Sequence, residues 1–234
     1  MITLVVGTRP NFMKAIPLWK ELPSARLVHT GQHYQSELTS VFFEQFKIAK
    51  ENLDILPDYP RDAPSYEALG WMVTKLAEYF RKKKTKIVVV FGDVNSTLAG
   101  ALAANFLKLS LIHVESGLRS YDPHMPEERN RVLVDHLADV LCTTEYSAED
   151  NLKKESVRGK IVYTGNTMID TLCGYLPSIQ NQKICHTYHL RERHYLVVTL
   201  HREENIEPTD TFLYIWDTLC KIREALDIQI IFPL

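Results

Sequence analysis

The sequence predicts an α/β protein built on a doubly wound parallel sheet. Three observations carry this. Short β-branched runs alternate with helical patterns along most of the chain, those runs are continuously apolar, and glycine beside a polar residue closes most of them. Strand–helix alternation implies parallel strands joined by right-handed crossovers. A strand that is apolar on both faces is one that helices cover from both sides.

The first strand spans residues 2–6 and breaks at Gly7. With no basic residue ahead of it, this run reads as a buried strand and not as a secretion signal. Residues 10–22 form the first helix, with Pro10 suited to its opening turn. A second strand over 26–30 and a helix over 34–46 follow. Between Tyr66 and Lys84, apolar residues fall at Leu69, Met72, Val73, Leu76, Ala77 and Phe80, the spacing of one helix face. Arg81-Lys82-Lys83-Lys84 then places cations at the negative end of the helix dipole and reads as a solvated terminus. Strands over 87–91, 111–114, 140–144 and 161–164 enclose helices over 96–107, 127–139 and 147–155.

From Pro177 to Arg193 the sequence is polar and aperiodic, and it reads as a connection. A strand over 195–200, a helix over 211–226 and a strand over 228–232 then begin a second α/β unit. The expected organisation is a first lobe over 1–172, a connection over 173–193 and a second lobe over 194–234. So short a second lobe is below the size that builds its own core, so it is expected to be incomplete.

Composition narrows the function classes. Of 234 residues, 45% are hydrophobic and 24% charged, which fits a folded globular chain. A formal net charge of −2 leaves no basic excess for neutralising phosphate backbones, so nucleic acid is not an expected partner. No apolar run approaches the roughly 20 residues of a membrane span, and a cytoplasmic location is expected. Cys142, Cys173, Cys185 and Cys220 contain no C-x-x-C pair, and three lie in apolar segments, as reduced, packed thiols would.

In open α/β sheets, ligands bind beyond the carboxyl ends of the strands. Those ends carry Gly7-Thr8-Arg9-Pro10, Gly31-Gln32-His33, Gly92-Asp93, Glu115-Ser116-Gly117 and Gly165-Asn166. Neither a dinucleotide fingerprint nor a P-loop is present. An arginine at the first strand–helix turn suits a phosphate-bearing ligand. Asp93 serves equally well as a helix cap. Glu115 follows an apolar strand directly and precedes a Ser-Gly turn, which is harder to explain by structure alone. Glu127 and Glu128 both fit a first helical turn. Cys185, His186, His189 and His194 cluster in the connection with a spacing that matches no standard zinc site, and no metal is expected.

Several blocks occur in order: Gly7-Thr8-Arg9-Pro10 with Lys14; Gln32-His33; Gly92-Asp93-Val94-Asn95-Ser96-Thr97; His113-Val114-Glu115-Ser116-Gly117-Leu118-Arg119; Pro126-Glu127-Glu128-x-Asn130-Arg131; Thr164-Gly165-Asn166-Thr167-x-Ile169-Asp170; and Leu200-His201-Arg202-Glu203. From end to end this series resembles the UDP-N-acetylglucosamine 2-epimerase family, in particular its non-hydrolysing bacterial branch. The resemblance implies a two-lobed, glycosyltransferase-B-like architecture whose second lobe is truncated here. It also implies interconversion of UDP-N-acetylglucosamine and UDP-N-acetylmannosamine. UDP is eliminated to leave a 2-acetamidoglucal and is then added back, with no cofactor.

By the same resemblance, Asp93, Glu115 and Glu127 are the catalytic carboxylates and His201 assists the departing UDP. Arg9, Lys14, Arg119 and Asn166 bind substrate, with Arg9 on the diphosphate. Gln32, His33 and Gln35 match a second, regulatory UDP-N-acetylglucosamine site, although Tyr34 departs from the usual arginine there. Asn11 departs from the usual glutamate, and Glu128 is a helix-start acid. The chemistry suits such a set. A weakly acidic C2 proton needs a base on one face and an acid on the other, and a leaving diphosphate needs cationic or N–H donors. Three acids in one pocket also repel one another, which favours retaining a proton on one of them.

The resemblance further implies a homodimer formed through the first lobe. Relatives continue past Leu234, so the chain alone is expected to be inactive. Two alternatives stay open: a hydrolysing epimerase that releases UDP and N-acetylmannosamine, and a non-catalytic fragment that only binds sugar nucleotide.

Overall fold

The computed structural model describes residues 1–32, 46, 52–200 and 203–233. The helix expected over 34–46 lies outside the described residues except for Phe46, and so do His33, Gln35 and His201. The chain forms two compact units, Met1–Gly174 and Tyr175–Leu234.

The first unit is a seven-stranded sheet in the order β3-β2-β1-β4-β5-β6-β7. Its strands are β1 Ile2–Val6, β2 Arg26–His29, β3 Leu53–Ile55, β4 Ile87–Phe91, β5 Ser110–Ser116, β6 Val140–Thr143 and β7 Lys160–Tyr163. Every pairing is parallel. The helices are α1 Arg9–Glu21, α2 Ser65–Lys83, α3 Asn95–Phe106, α4 Pro126–Leu137 and α5 Tyr146–Lys154, and α6 Thr167–Gln180 begins in this unit and ends in the second. The doubly wound parallel sheet that the sequence predicts is the architecture observed. The chain leaves β1 toward β2 and returns on its other side at β4, so the strand order reverses between β1 and β4. That reversal opens a crevice beyond the carboxyl ends of the two strands.

Burial explains why these runs are strands. Leu4, Val6, Val88, Val90 and Phe91 are fully enclosed, and both faces of the central strands are dry. Helix α3 is covered on almost every side, which its small residues permit: a Cβ added at Gly100 would lie 2.9 Å from a Val90 methyl. Helix α2 buries the stripe the spacing predicts, through Met72, Leu76 and Phe80.

Strand β3 is an element the sequence reading lacks. It has only three residues and carries an acid at its centre. Asp54 is held there by Arg26 at 2.8 Å, the Tyr79 hydroxyl at 2.7 Å and Lys83 at 3.2 Å. Lys83 therefore belongs to an ion cluster at the sheet edge, a correction to the solvated-terminus reading of the 81–84 run. Burial pushes Asp54 up, but Arg26, Tyr79 and Lys83 more than offset this and hold it below the ordinary aspartate value.

The second unit contains α7 Ile184–Thr187, β8 Tyr195–Val197, α8 Glu203–Ile206, α9 Thr209–Leu226 and β9 Gln229–Ile231. Strands β8 and β9 pair in parallel as a two-stranded sheet. Helix α6 runs through Pro177 to Gln180, where the sequence reading begins an irregular connection. All four cysteines are free; Cys173 is exposed and the other three are half-buried, so the expectation of packed thiols is corrected. Among the described residues, no helix is long and apolar enough to cross a membrane.

Candidate active site

Strand β4 leads into Gly92 and Asp93, next to the turn that follows β1. Strand β5 is irregular between Val114 and Ser116, and Glu115 sits in that bulge with a φ of +67°. A left-handed backbone at a non-glycine residue is a strained state that its surroundings must hold. The bulge re-aims the carboxylate out of the ladder's alternation.

Helix α1 brings the buried Lys14 to Glu115, with Nζ 2.5 Å from Oε1. These two groups crowd the backbone of Gly92. A Cβ there would lie 2.7 Å from Lys14 Nζ and 3.6 Å from Glu115 Oε1, and the residue has a φ of +62°. A Cβ would displace the end of Lys14, and the backbone angle calls for glycine. Asn11 ties the two strand ends together. Its Oδ1 accepts from the Gly7 amide at 3.3 Å and the Thr8 hydroxyl at 3.1 Å, while its Nδ2 donates to the Phe91 carbonyl at 2.9 Å. A glutamate cannot make that last bond, because it has no donor to offer.

Asp93 forms an ion pair with Arg131, which also donates to Glu128 at 2.9 Å. Asn130 Nδ2 holds the Asp93 carbonyl at 2.9 Å. Glu127 is half-buried and makes no hydrogen bond or ion pair among the described residues. It stands one helical turn before Arg131, on the same face of α4 as the cation that grips Asp93. Two of the three acids thus face a cation, Glu115 facing Lys14 and Asp93 facing Arg131.

Glu128 does more than start a helix. Its carboxylate accepts from the Ser120 amide at 2.9 Å, the Ser120 hydroxyl at 3.0 Å and the Tyr121 amide at 3.0 Å, closing the loop before α4. Burial pushes its pKa up, but these bonds and Arg131 hold it below the ordinary glutamate value.

Other predicted ligands are placed differently. Arg9 is exposed and makes no hydrogen bond or ion pair among the described residues, so its guanidinium can meet an anion. Arg119 cannot do so. Its side chain is 1% exposed and engages Asp135 at 2.8 Å, Glu155 at 2.6 Å and the Leu118 carbonyl at 2.7 Å. Burial would lower its pKa, but Glu155 and Asp135 overcome that and raise it. We therefore correct its assignment to substrate binding. Asn166 caps α6, with Oδ1 accepting from the Met168 amide at 2.9 Å. Gln32 likewise closes the first turn of α3, its Oε1 accepting from the Ser96 amide at 3.0 Å and hydroxyl at 2.6 Å.

Arg131, Asn130, His113 and Asp135 are the structural discoveries of the site. For His113 the available signal was a histidine within an otherwise apolar central strand, because buried polar groups require partners. Among the described residues, no group of three or more His, Cys, Asp or Glu side chains could hold a metal ion.

Fold and site together define a doubly wound α/β protein whose switch-point crevice gathers carboxylates against cations. The profile of UDP-N-acetylglucosamine 2-epimerase matches residues 20–234. A UDP-N-acetylglucosamine 2-epimerase homolog from Methanococcus maripaludis is 37% identical, over 99% of this chain and 64% of that protein. The UDP-2,3-diacetamido-2,3-dideoxy-D-glucuronate 2-epimerase of Pseudomonas aeruginosa is 35% identical, over 95% of this chain and 63% of its own length. The crystal structure of Methanocaldococcus jannaschii UDP-GlcNAc 2-epimerase, in complex with UDP-GlcNAc and UDP, superposes with a TM-score of 0.84 at 34% identity. It covers 99% of this chain and 65% of that one. The chain belongs to the UDP-N-acetylglucosamine 2-epimerase family, and it spans about 64% of the length of its curated relatives.

Proposed function

We propose that the protein inverts C2 of UDP-N-acetylglucosamine, interconverting it with UDP-N-acetylmannosamine. A carboxylate removes the C2 proton as the C1–O bond breaks, giving UDP and 2-acetamidoglucal. The UDP oxygen then adds back to C1 while an acid on the opposite face protonates C2. Asp93, Glu115 and Glu127 divide the base and acid roles, and Arg9 and His201 attend the diphosphate. The observation carrying this reading is the gathering of Glu115 with Lys14 over Gly92, beside Asp93 with Arg131, at the switch point of the sheet. That arrangement supplies proton-transfer groups and cations to one crevice. A cytoplasmic homodimer completes the proposal, and sedimentation equilibrium reads the dimer directly.

The test is uptake of solvent deuterium at C2, measured on the 234-residue chain with and without any sequence its gene encodes after Leu234. Slow or absent turnover is expected of the 234 residues alone, because about a third of the length of those relatives has no counterpart in them. In the active form, Glu115→Gln is expected to lower exchange by about 10²- to 10⁴-fold. Recovery of UDP-sugar supports re-addition, whereas free N-acetylmannosamine supports the hydrolysing alternative. The identity to the Pseudomonas aeruginosa relative makes a UDP-diacetamido-glucuronate a second substrate to run in parallel. No exchange into either sugar in either form would sink the proposal.

A further inference from the structure

We propose that His113, Asp135 and Arg119 form a buried positioning device that sets the turn carrying Asp93 against the turn carrying Glu115. The inference rests on the reading of those two acids as proton-moving groups. His113 and Asp135 are 0% exposed. His113 Nε2 lies 2.7 Å from the Gly92 carbonyl oxygen, and its Nδ1 lies 2.7 Å from Asp135 Oδ1. A carbonyl oxygen only accepts, so Nε2 carries a proton.

Asp135 Oδ2 accepts from the Gly117 amide at 3.0 Å and from Arg119 at 2.8 Å. Two donors converge on Oδ2 of a carboxylate that faces a guanidinium, which is the environment of an ionised acid. Nδ1 therefore carries a proton as well. Against an ionised Asp135, a neutral imidazole with one N–H cannot make both contacts. The ring is a buried cation set against Asp135, and Arg119 is set against Glu155, so the four charges cancel in pairs.

The connections show what the device does. Gly92 immediately precedes Asp93, and Gly117 lies just after Glu115. One ring and one carboxylate thus join the carbonyl of the first turn to the amide of the second. Both turns need holding, because Gly92 and Glu115 have φ values of +62° and +67°. Arg119 fastens the assembly to the end of α5 through Glu155, the residue that caps it, and Asn151 of that helix donates to the Gly117 carbonyl at 3.0 Å. None of the three side chains reaches Asp93 or Glu115 itself, so they act through the backbone as positioning residues. Misplacing a reacting group by about 1 Å costs on the order of 100-fold in rate.

The experiment is nuclear magnetic resonance of the ¹⁵N-labelled chain. His113 is expected to show two slowly exchanging ring N–H protons at neutral pH. Asp135→Asn has the same shape but one oxygen acceptor fewer. It is expected to remove one ring proton, speed exchange of the Gly117 amide and shift the Asp93 and Glu115 amide resonances, leaving Leu27 in β2 in place. Should that variant fail to fold, Glu155→Gln loosens only the outer end of Arg119 and is expected to move the same resonances by less. A single ring proton on His113 in the unaltered chain overturns the proposal, and so do folded variants in which Asp93 and Glu115 do not shift. In turnover, Asp135→Asn is expected to lower kcat by about 100-fold with KM changed by less than about twofold; an unchanged kcat also overturns it. Absence of C2 exchange in the unaltered protein would defeat the functional reading alone, since the ring spectrum judges the device without turnover.

Discussion

Helices α2 and α9 look alike as sequence: 19 and 18 residues, each with an apolar stripe and a left-handed residue at its end. Their surroundings differ. In α2, Met72 and Leu76 are fully enclosed, whereas α9 has no buried residue and leaves Leu213 54%, Tyr214 74% and Leu226 60% exposed. The same contrast holds for the sheets. Strand β4 lies between two neighbours with four of its five residues buried, and β8, paired among the described residues with β9 alone, has none. Amphipathic period specifies an element, but only a facing partner turns its stripe into a core. Stability in this chain is therefore expected to reside in the first unit.

Hydrogen exchange gives the widest test of that contrast. Amides of β4 are expected to exchange only through global opening, and those of β8 and β9 about a thousandfold faster or more. Equal protection in the two sheets would break the comparison.

Core truncation should separate the units next. Leu141, fully enclosed in β6, is expected to cost about 3 kcal/mol as Leu141→Ala. Leu213→Ala in α9 is expected to stay within about 0.5 kcal/mol. Urea titration followed by far-UV circular dichroism measures both, and similar losses would show that α9 has a packed face after all.

Acid sharpens the comparison with a smaller effect. Burial pushes Asp135 and Glu128 up, but their donors hold both below the ordinary values of 3.8 and 4.5. A depressed folded value means that the stabilisation is complete above the ordinary value and is lost as pH falls through it toward the lowered one. Below about pH 5 the melting temperature of the first unit should decline. Glu128→Gln should remove part of that decline, and an identical slope in the variant would rule Glu128 out as a contributor.

The elements most legible in the sequence are those whose burial is set by their own pattern, such as β1, β4 and α2. Strand β3 was not legible because a three-residue edge strand with a central aspartate has no period to detect; its place comes from Arg26, Tyr79 and Lys83. The last turns of α6 were hidden by Pro177. Within the site, Asp93 and Glu115 could be singled out because each sits where an apolar run gives way to a glycine-containing turn. Their cations could not be read the same way. Lys14 lies 101 residues from Glu115, and Arg131 lies 38 from Asp93, so only the folded sheet brings them together. Arg119 shows the opposite error: a motif arginine that suits an anion is consumed by Asp135 and Glu155.

The β8–β9 pair has a practical consequence for anyone preparing the protein. With two strands, each has one flank on which main-chain donors and acceptors have no ladder partner among the described residues, and Val197 is 60% exposed beside one of them. Open edges of this kind recruit further strands from other molecules. Yield at high expression would then be governed by self-association of this short ribbon, and dilute, cool conditions would favour recovery of dispersed material.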